Sequence, residues 1–275
     1  MNPISNTAYY CCGVRMEDAE RTPSVCNDRY ARRFMNEHGL RIYEPFRSET
    51  LPNVSNIVRC RIIDEFVQRE LDAHPGARVV TIGAGFDTRP YRLRGGEWYE
   101  IDEPQIIGYK NERLPVAESP NPLTRLAVDF ASGSLGEVLR TVPADGRTIV
   151  VIEGVFMYLE PDAIAETLRA LRERFPRHIL LCDTMNRAFF ERFGGSVHAK
   201  IVAVGARFTE RPVDSAAIFI EHGYTQSAEV PMFRRAQQLG VLWQRARIPG
   251  FVAQIMLAVS KDLSGFAVQQ FTYGD

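Results

Sequence analysis

The stretch RVVTIGAGFDTRPYRL, Arg78–Leu93, decides how the rest of the chain is read. An apolar run breaks into Gly-Ala-Gly and then into Asp-Thr-Arg-Pro. A buried strand that ends on Gly83-x-Gly85 can turn tightly and let its backbone approach a ligand, because neither glycine carries a Cβ. A G-x-G pair alone also serves ordinary turns, so its neighbours have to decide between turn and site.

Outward from this strand, short β-branched runs alternate with helix-like stretches, the order expected of a sheet with helices on both faces. Strands are expected near 78–82, 97–101, 124–128, 148–153, 178–183, 224–230 and 251–259. The segment PDAIAETLRALRERF (161–175) repeats apolar residues at three- and four-residue steps, with Pro161 suited to a first helical turn. SNIVRCRIIDEFVQREL (55–71) opens on Ser55 as a cap and carries two adjoining apolar stripes. The last two strands lack a helix-sized crossover in this reading, so they pair antiparallel and the sheet is mixed at one edge. The expected fold is α/β: a doubly wound, seven-stranded, mostly parallel sheet. Residues 1–54 read as a helical cover and 55–275 as the main domain, with a second irregular segment, 184–212, inserted as a lid.

Composition narrows the function. The 275 residues carry 33 Lys+Arg against 34 Asp+Glu, a formal charge of −1, so no global field draws polyanions and nucleic acid is not an expected partner. No apolar run reaches the ~18 residues of a membrane span, and MNPISNTAYY lacks a secretory pattern, so no membrane partner and a soluble, cytoplasmic location are expected. Cys11, Cys12, Cys26, Cys60 and Cys182 form no Cys-x-x-Cys pair, which argues against a zinc site or a disulfide framework, and no metal is expected. Cys182 reads as a small buried hydrophobe.

About twenty residues beyond the glycines, EWYEIDEP offers acids for a ribose. Glu100, Asp102 and Glu103 compete; Asp102 fits best, since Glu100 sits deeper on the same strand face and Glu103 precedes Pro104. A dinucleotide site needs a third glycine where Thr88 stands, and Asp87 would repel a phosphate at that helix start, where its plain role is a cap. A Walker-type G-x-x-x-x-G-K-[ST] loop is missing too. The ligand is therefore read as a nucleoside without a diphosphate.

The series VVTIGAGFDTRPYRL, WYEIDEPQIIGYKNERL and VVIEGVFMYLEPDAI resembles the leucine carboxyl methyltransferase family. NTAYYCCGVRMEDAERTPSVCNDRYARRF is similar to its bacterial branch, which includes polyketide O-methyltransferases. The likeness spans residues 6–183. It implies S-adenosylmethionine as cofactor and a methyl ester or ether formed on a small molecule. By the same resemblance Arg59 holds the cofactor's carboxylate, Gly83, Ala84 and Gly85 line its methionine part, Asp102 takes the ribose, and Asp129 and Phe130 flank adenine. Glu153 ends a central strand, where an ionised carboxylate needs a partner, either the cofactor's ammonium or an arginine.

Methyl transfer from a sulfonium mainly requires alignment in a dry pocket. A carboxylate acceptor is already ionised, whereas a phenol profits from a base. His74, His178 and His222 lie away from the expected ligand edge; His38 and His198 fall in the two covers and read as surface residues rather than bases, with His198 kept as a candidate substrate contact. That favours a carboxyl acceptor, anchored by one of Arg15, Arg21, Arg29, Arg187, Arg192, Lys200 or Arg207. Tyr9, Tyr10, Phe156 and Tyr158 are candidate pocket walls. Two rivals remain: a regulatory module that binds the cofactor without turnover, and an NAD-dependent oxidoreductase, which should show the missing third glycine.

Overall fold

A computed structural model of the chain describes residues 3–132, 135–210 and 212–274. Seven strands form one sheet: β1 (Arg78–Ile82), β2 (Glu97–Asp102), β3 (Leu123–Ala127), β4 (Thr148–Ile152), β5 (His178–Met185), β6 (Thr225–Pro231) and β7 (Phe266–Tyr273). Their order is β3-β2-β1-β4-β5-β7-β6. The first five are parallel, and β7 runs antiparallel between β5 and β6. The mixed edge expected from the sequence is therefore present.

The helices in chain order are α1 (Pro3–Ala19), α2 (Glu37–Tyr43), α3 (Thr50–Ala73), α4 (Arg89–Arg92), α5 (Pro104–Arg113), α6 (Leu135–Thr141) and α7 (Pro161–Arg174). Beyond β5 come α8 (Arg187–Phe193), α9 (Gly195–Ala203), α10 (Ala217–Glu221), α11 (Met232–Gln238), α12 (Val241–Ala246) and α13 (Gly250–Val259). Because strand side chains alternate between faces, the central strands feed two cores. Val79, Trp98, Ile149, Val151 and Leu181 meet α3 and α1 on one side. Val80, Ile101, Val150, Leu180 and Cys182 meet Leu139, Leu168 and Leu171 of α6 and α7 on the other.

Two expectations need correction. The run 251–259 is not a strand but helix α13, and the seventh strand is Phe266–Tyr273. GFVAQIMLAV is apolar almost all round, so neither period shows; its Ala, Met and Leu favour helix, and Pro249 and Gly250 start it. Three helices thus separate β6 from β7, and Phe251, Ile255 and Val259 of α13 face outward. The true strand was hidden by Gln269 and Gln270, which are buried and bonded: Gln269 donates to Thr184 Oγ1 and Glu229 Oε1, and Gln270 donates to Ser227 Oγ.

Helix α3 begins at Thr50 instead of Ser55, so the expected boundary at residue 54 falls inside it. Ser55 does not cap; its hydroxyl donates to Pro52 O at 2.8 Å within the helix. The helix runs antiparallel to the strands and places its first turns over the carboxyl edge of the sheet.

Candidate active site

Above that edge lies a cavity of about 780 Å³. The β1–α4 loop forms its floor. Gly83 N and Ala84 N donate to Ile101 O at 2.9 and 3.2 Å, which ties the loop to the end of β2. Gly83 and Gly85 have φ of +67° and +47°, the left-handed region where a side chain is strained. A Cβ on Gly83 would also stand 2.5 Å from Val155 Cγ2.

Asp102 opens onto the cavity at the end of β2. Its Oδ2 accepts from Gly85 N at 2.5 Å and its Oδ1 from Glu103 N at 2.7 Å. Burial outweighs these two donors and pushes its pKa up to about 6. Glu100, the competing acid, is wholly buried and held by Lys110 at 2.7 Å and Arg125 at 2.8 Å, so it is committed to the core.

Around the loop runs a chain of buried ion pairs. Arg59 bonds Glu153 at 2.9 Å and Asp183 at 3.0 Å. Arg89 bonds Glu153 at 2.7 Å, Asp87 at 2.9 Å and Asp64 at 2.6 Å. Arg92 joins Asp64 at 2.5 Å, and Arg15 joins Asp28 at 2.8 Å while donating to Phe86 O at 2.8 Å. Asp28 closes the circuit by accepting from Thr88 Oγ1 at 2.6 Å, and Arg92 lies 3.8 Å from it. Four arginines thus face five carboxylates, an excess of one negative charge.

Burial raises the pKa of Glu153, but Arg89 and Arg59 outweigh it and hold the group down at about 2. The folded value lies below the ordinary one, so Glu153 contributes stability that is fully present above about pH 4.5 and is lost as pH falls toward 2. Denaturant unfolding of Glu153→Gln is expected to show lower stability than the unaltered protein at pH 6, with the gap narrowing between pH 4.5 and 3. A gap independent of pH would contradict the pairing.

Of the sequence-derived site residues, Arg59, Gly83, Ala84, Gly85, Asp102, Phe130 and Glu153 line this one cavity, together with Tyr10, Arg15 and Tyr158. Four others do not. Asp129 is exposed, and its Oδ1 accepts from Ala131 N in a turn at the strand end, leaving Phe130 and Ala131 at the wall. Tyr9 points away from the cavity on α1 and packs on Phe86 and Tyr109, its ring seated against the bare face of Gly39. On α9 Val197 and Ile201, a helical turn apart, face the cavity, so His198 is rotated outward between Phe190 and Phe208. Arg187 opens α8 at the surface and pairs with Glu210 at 2.9 Å, while Phe189 and Phe193 of the same helix reach inward.

The expected anchors for a carboxylate fare similarly. Arg15 is a clamp between α1 and the glycine loop, and Lys200 donates to Glu49 and Pro45 O. Arg21, Arg29, Arg192 and Arg207 do not line the cavity. Sequence reasoning missed Asp183, which pairs with Arg59 and accepts from Gly154 N at 2.6 Å. An acid ending the buried run HILLCD carried the same signal as Glu153. It also missed Asn56, a lining residue whose Oδ1 is turned into the protein, buried and unpartnered. A buried polar group in that state costs roughly 1–3 kcal/mol. Thr81, another lining residue, has its Oγ1 in the same condition.

Sheet order, glycine loop and the acid ending β2 define a Rossmann-like chain of the class I methyltransferase fold. The chain belongs to the leucine carboxyl methyltransferase family, whose model matches residues 11–172. It is 28% identical over 130 residues to the tetracenomycin polyketide synthesis O-methyltransferase TcmP of Streptomyces glaucescens, a match covering 46% of each chain. A Streptomyces avermitilis protein named for S-adenosyl-L-methionine-dependent methyl transfer is 26% identical over 234 residues, covering 79% of this chain and 82% of its own. Among solved structures, a DUF574 family protein of Streptomyces avermitilis superposes with a TM-score of 0.60 at 13% identity, over 89% of this chain and 95% of that one. Magnesium protoporphyrin IX methyltransferase of Synechocystis, with bound SAH, gives 0.50 at 14% identity, over 87% and 96%. These two likenesses concern the fold. The cofactor that goes with the family is S-adenosylmethionine.

Among the described residues no helix is long and apolar enough to cross a membrane, and no cluster of His, Cys, Asp and Glu could hold a metal.

Proposed function

We propose that the protein transfers a methyl group from S-adenosylmethionine to an oxygen of a small molecule, with residues 1–54 and the 184–212 segment covering the reaction. The observation that carries this reading is the bare, left-handed glycine floor beside Asp102, inside one cavity with Glu153 and Arg59. The donor set suits the cofactor. Asp102 can accept from ribose hydroxyls, Glu153 can face an ammonium, and Arg59 Nη2, which donates to the weak acceptor Cys11 Sγ at 3.7 Å, can turn to a carboxylate. The excess negative charge of the ion-pair chain matches a ligand with one net positive charge. Phe130, Ala131 and Leu135 offer a slot for adenine.

When bound, the cofactor supplies a methyl carbon made electrophilic by a sulfonium. An oxygen lone pair of the acceptor forms the new O–C bond, and the electron pair of the broken C–S bond stays on sulfur. A carboxylate has no proton to lose; a hydroxyl releases one to water. The chain's own work is to hold the two molecules in line and keep the gap dry. Tyr10, stacked on Phe46 at 4.2 Å, and Tyr158, packed on Phe208 at 5.2 Å, close the space above the floor. Burial raises the pKa of both phenols, which stay neutral and serve as walls.

Asp102→Ala is expected to weaken cofactor affinity by roughly 1–2 kcal/mol through lost hydrogen bonds to an ionised acceptor. Because its pKa stands at about 6, affinity in the unaltered protein should fall as pH drops below 6, up to about tenfold per unit. Calorimetry from pH 5 to 8 reads both effects. Glu100→Ala weakening affinity while Asp102→Ala leaves it unchanged would assign the ribose to the wrong acid. Tight NADH binding without a response to S-adenosylmethionine would end the reading, and cofactor binding without methyl consumption across acids, phenols and alcohols would favour a regulatory module.

A further inference from the structure

Asp183 stands on β5 two residues beyond Leu181, which packs in the core beneath α3, and strand alternation turns the carboxylate to the same side. Cys182 pairs with Ile152 in the register of β5 and β4, so the carboxylate sits beside the turn at Glu153 and Gly154 that follows β4. Its side chain is wholly buried, and it is not one of the residues lining the cavity. What it does for a ligand it therefore does through a neighbour.

Two neighbours are bound at once. Oδ2 accepts from Arg59 Nη1 at 3.0 Å and Oδ1 accepts from Gly154 N at 2.6 Å, so one carboxylate joins α3, β5 and the end of β4. Glu153 Oε1 accepts from Arg59 Nε at 2.9 Å. Carboxylates at two nitrogens fix the plane of a guanidinium, whereas a bond at Nε alone would let its outer end swing. Gly154 has φ of +68°, and a Cβ there would stand 3.4 Å from Arg59 Nη2 and 3.5 Å from Nη1, so the guanidinium lies against its bare face. Arg59, Gly154 and Cys11 all line the cavity, and Nη2, bonded to the Cys11 sulfur at 3.7 Å, is the nitrogen to which no carboxylate is bonded.

We propose that Asp183 is a positioning residue for the amino-acid end of the cofactor: by holding Arg59 Nη1 and the Gly154 amide together, it keeps Nη2 as the nitrogen offered to the ligand's carboxylate. The inference rests on the methyltransferase reading and deepens it. The task needs a carboxylate. An asparagine has one oxygen and one NH₂ group, so either Gly154 N–H or Arg59 Nη1–H would meet a donor where it now meets an acceptor, and would be displaced. Charge alone predicts the opposite, because Arg59 with one acid fewer would attract a ligand carboxylate more strongly. Positioning and charge thus differ in the sign of the effect.

Calorimetry at pH 7.5 separates them by comparing S-adenosylhomocysteine with 5′-methylthioadenosine, the same thionucleoside without the amino-acid end. Asp183→Asn is expected to weaken S-adenosylhomocysteine at least fivefold and to change methylthioadenosine less than twofold. Asp183→Glu keeps the charge but carries it one methylene further. In that variant S-adenosylhomocysteine should still weaken at least threefold, with methylthioadenosine again unmoved. A general loosening of the pocket would weaken both ligands together. A smaller loss or a gain for S-adenosylhomocysteine in either folded variant, equal losses for the two ligands, or loss of fold in both variants by circular dichroism each overturns the assignment. An unaltered protein that binds neither ligand, or that binds S-adenosylhomocysteine no more tightly than methylthioadenosine, overturns instead the reading on which it rests.

Discussion

Gly83→Val is expected to lower S-adenosylmethionine affinity by more than a hundredfold while the chain remains folded at room temperature. Valine at φ +67° is strained, and its Cβ would stand 2.5 Å from Val155 Cγ2, so the loop has to move. Left-handed strain in a β-branched residue costs about 1–2 kcal/mol, and relief of the clash adds to it. A lowered melting temperature is therefore part of the expected result. The loss of binding exceeds this, because loop movement breaks the bonds from Gly83 N and Ala84 N to Ile101 O and from Gly85 N to Asp102. Circular dichroism and calorimetry on one sample separate the two effects. Unchanged affinity in a folded variant would remove the glycine floor from the binding site.

Arg59→Met strikes the ion-pair chain where it joins Glu153 to Asp183. Glu153 and Asp183 would both remain buried with one cation fewer, and removal of one partner from a buried pair costs about 3–5 kcal/mol. Burial already raises the pKa of Asp183 despite Arg59, so the loss falls on a group that is poorly placed to stay ionised. The unfolding free energy should drop by that amount at pH 7, and cofactor binding should be lost with it. A drop below about 1 kcal/mol would show that water replaces the guanidinium without penalty, and that the pairs read from the structure contribute little.

The sequence disclosed what is local. A glycine's missing Cβ, an acid at a strand end and the spacing between them are properties of a few neighbouring residues, and so the loop 83–85, Asp102 and Glu153 were found together. The partners of Glu153 were not, since Arg59 is 94 residues away and the Asp183 that shares it is 124 residues from Arg59. Helix phase set another limit. Tyr9 and Tyr10 are chemically alike in the sequence, yet 100° of rotation sends one into the aromatic core and the other to the cavity; His198 and Val197 divide in the same manner. The misplaced last strand had a different cause. Helix α13 is too uniformly apolar to reveal a period, and β7 carries two glutamines whose partners lie on other strands.

The two covers are fastened by bonds of very different kind. At the amino-terminal side, Arg15 donates to Phe86 O, and the fully buried Asp28 accepts from Thr88 Oγ1 and lies 3.8 Å from Arg92, so raising that cover would break charged hydrogen bonds to the glycine loop and α4. At the other side, α9 is tied by Lys200 to Glu49, the residue before α3, a pair that solvent already reaches and that is worth at most about 1 kcal/mol. The α9 flank is thus the more weakly tied of the two, and a chain lacking residues 3–30 is expected to lose the bonds from Arg15 and Asp28 that brace the glycine loop.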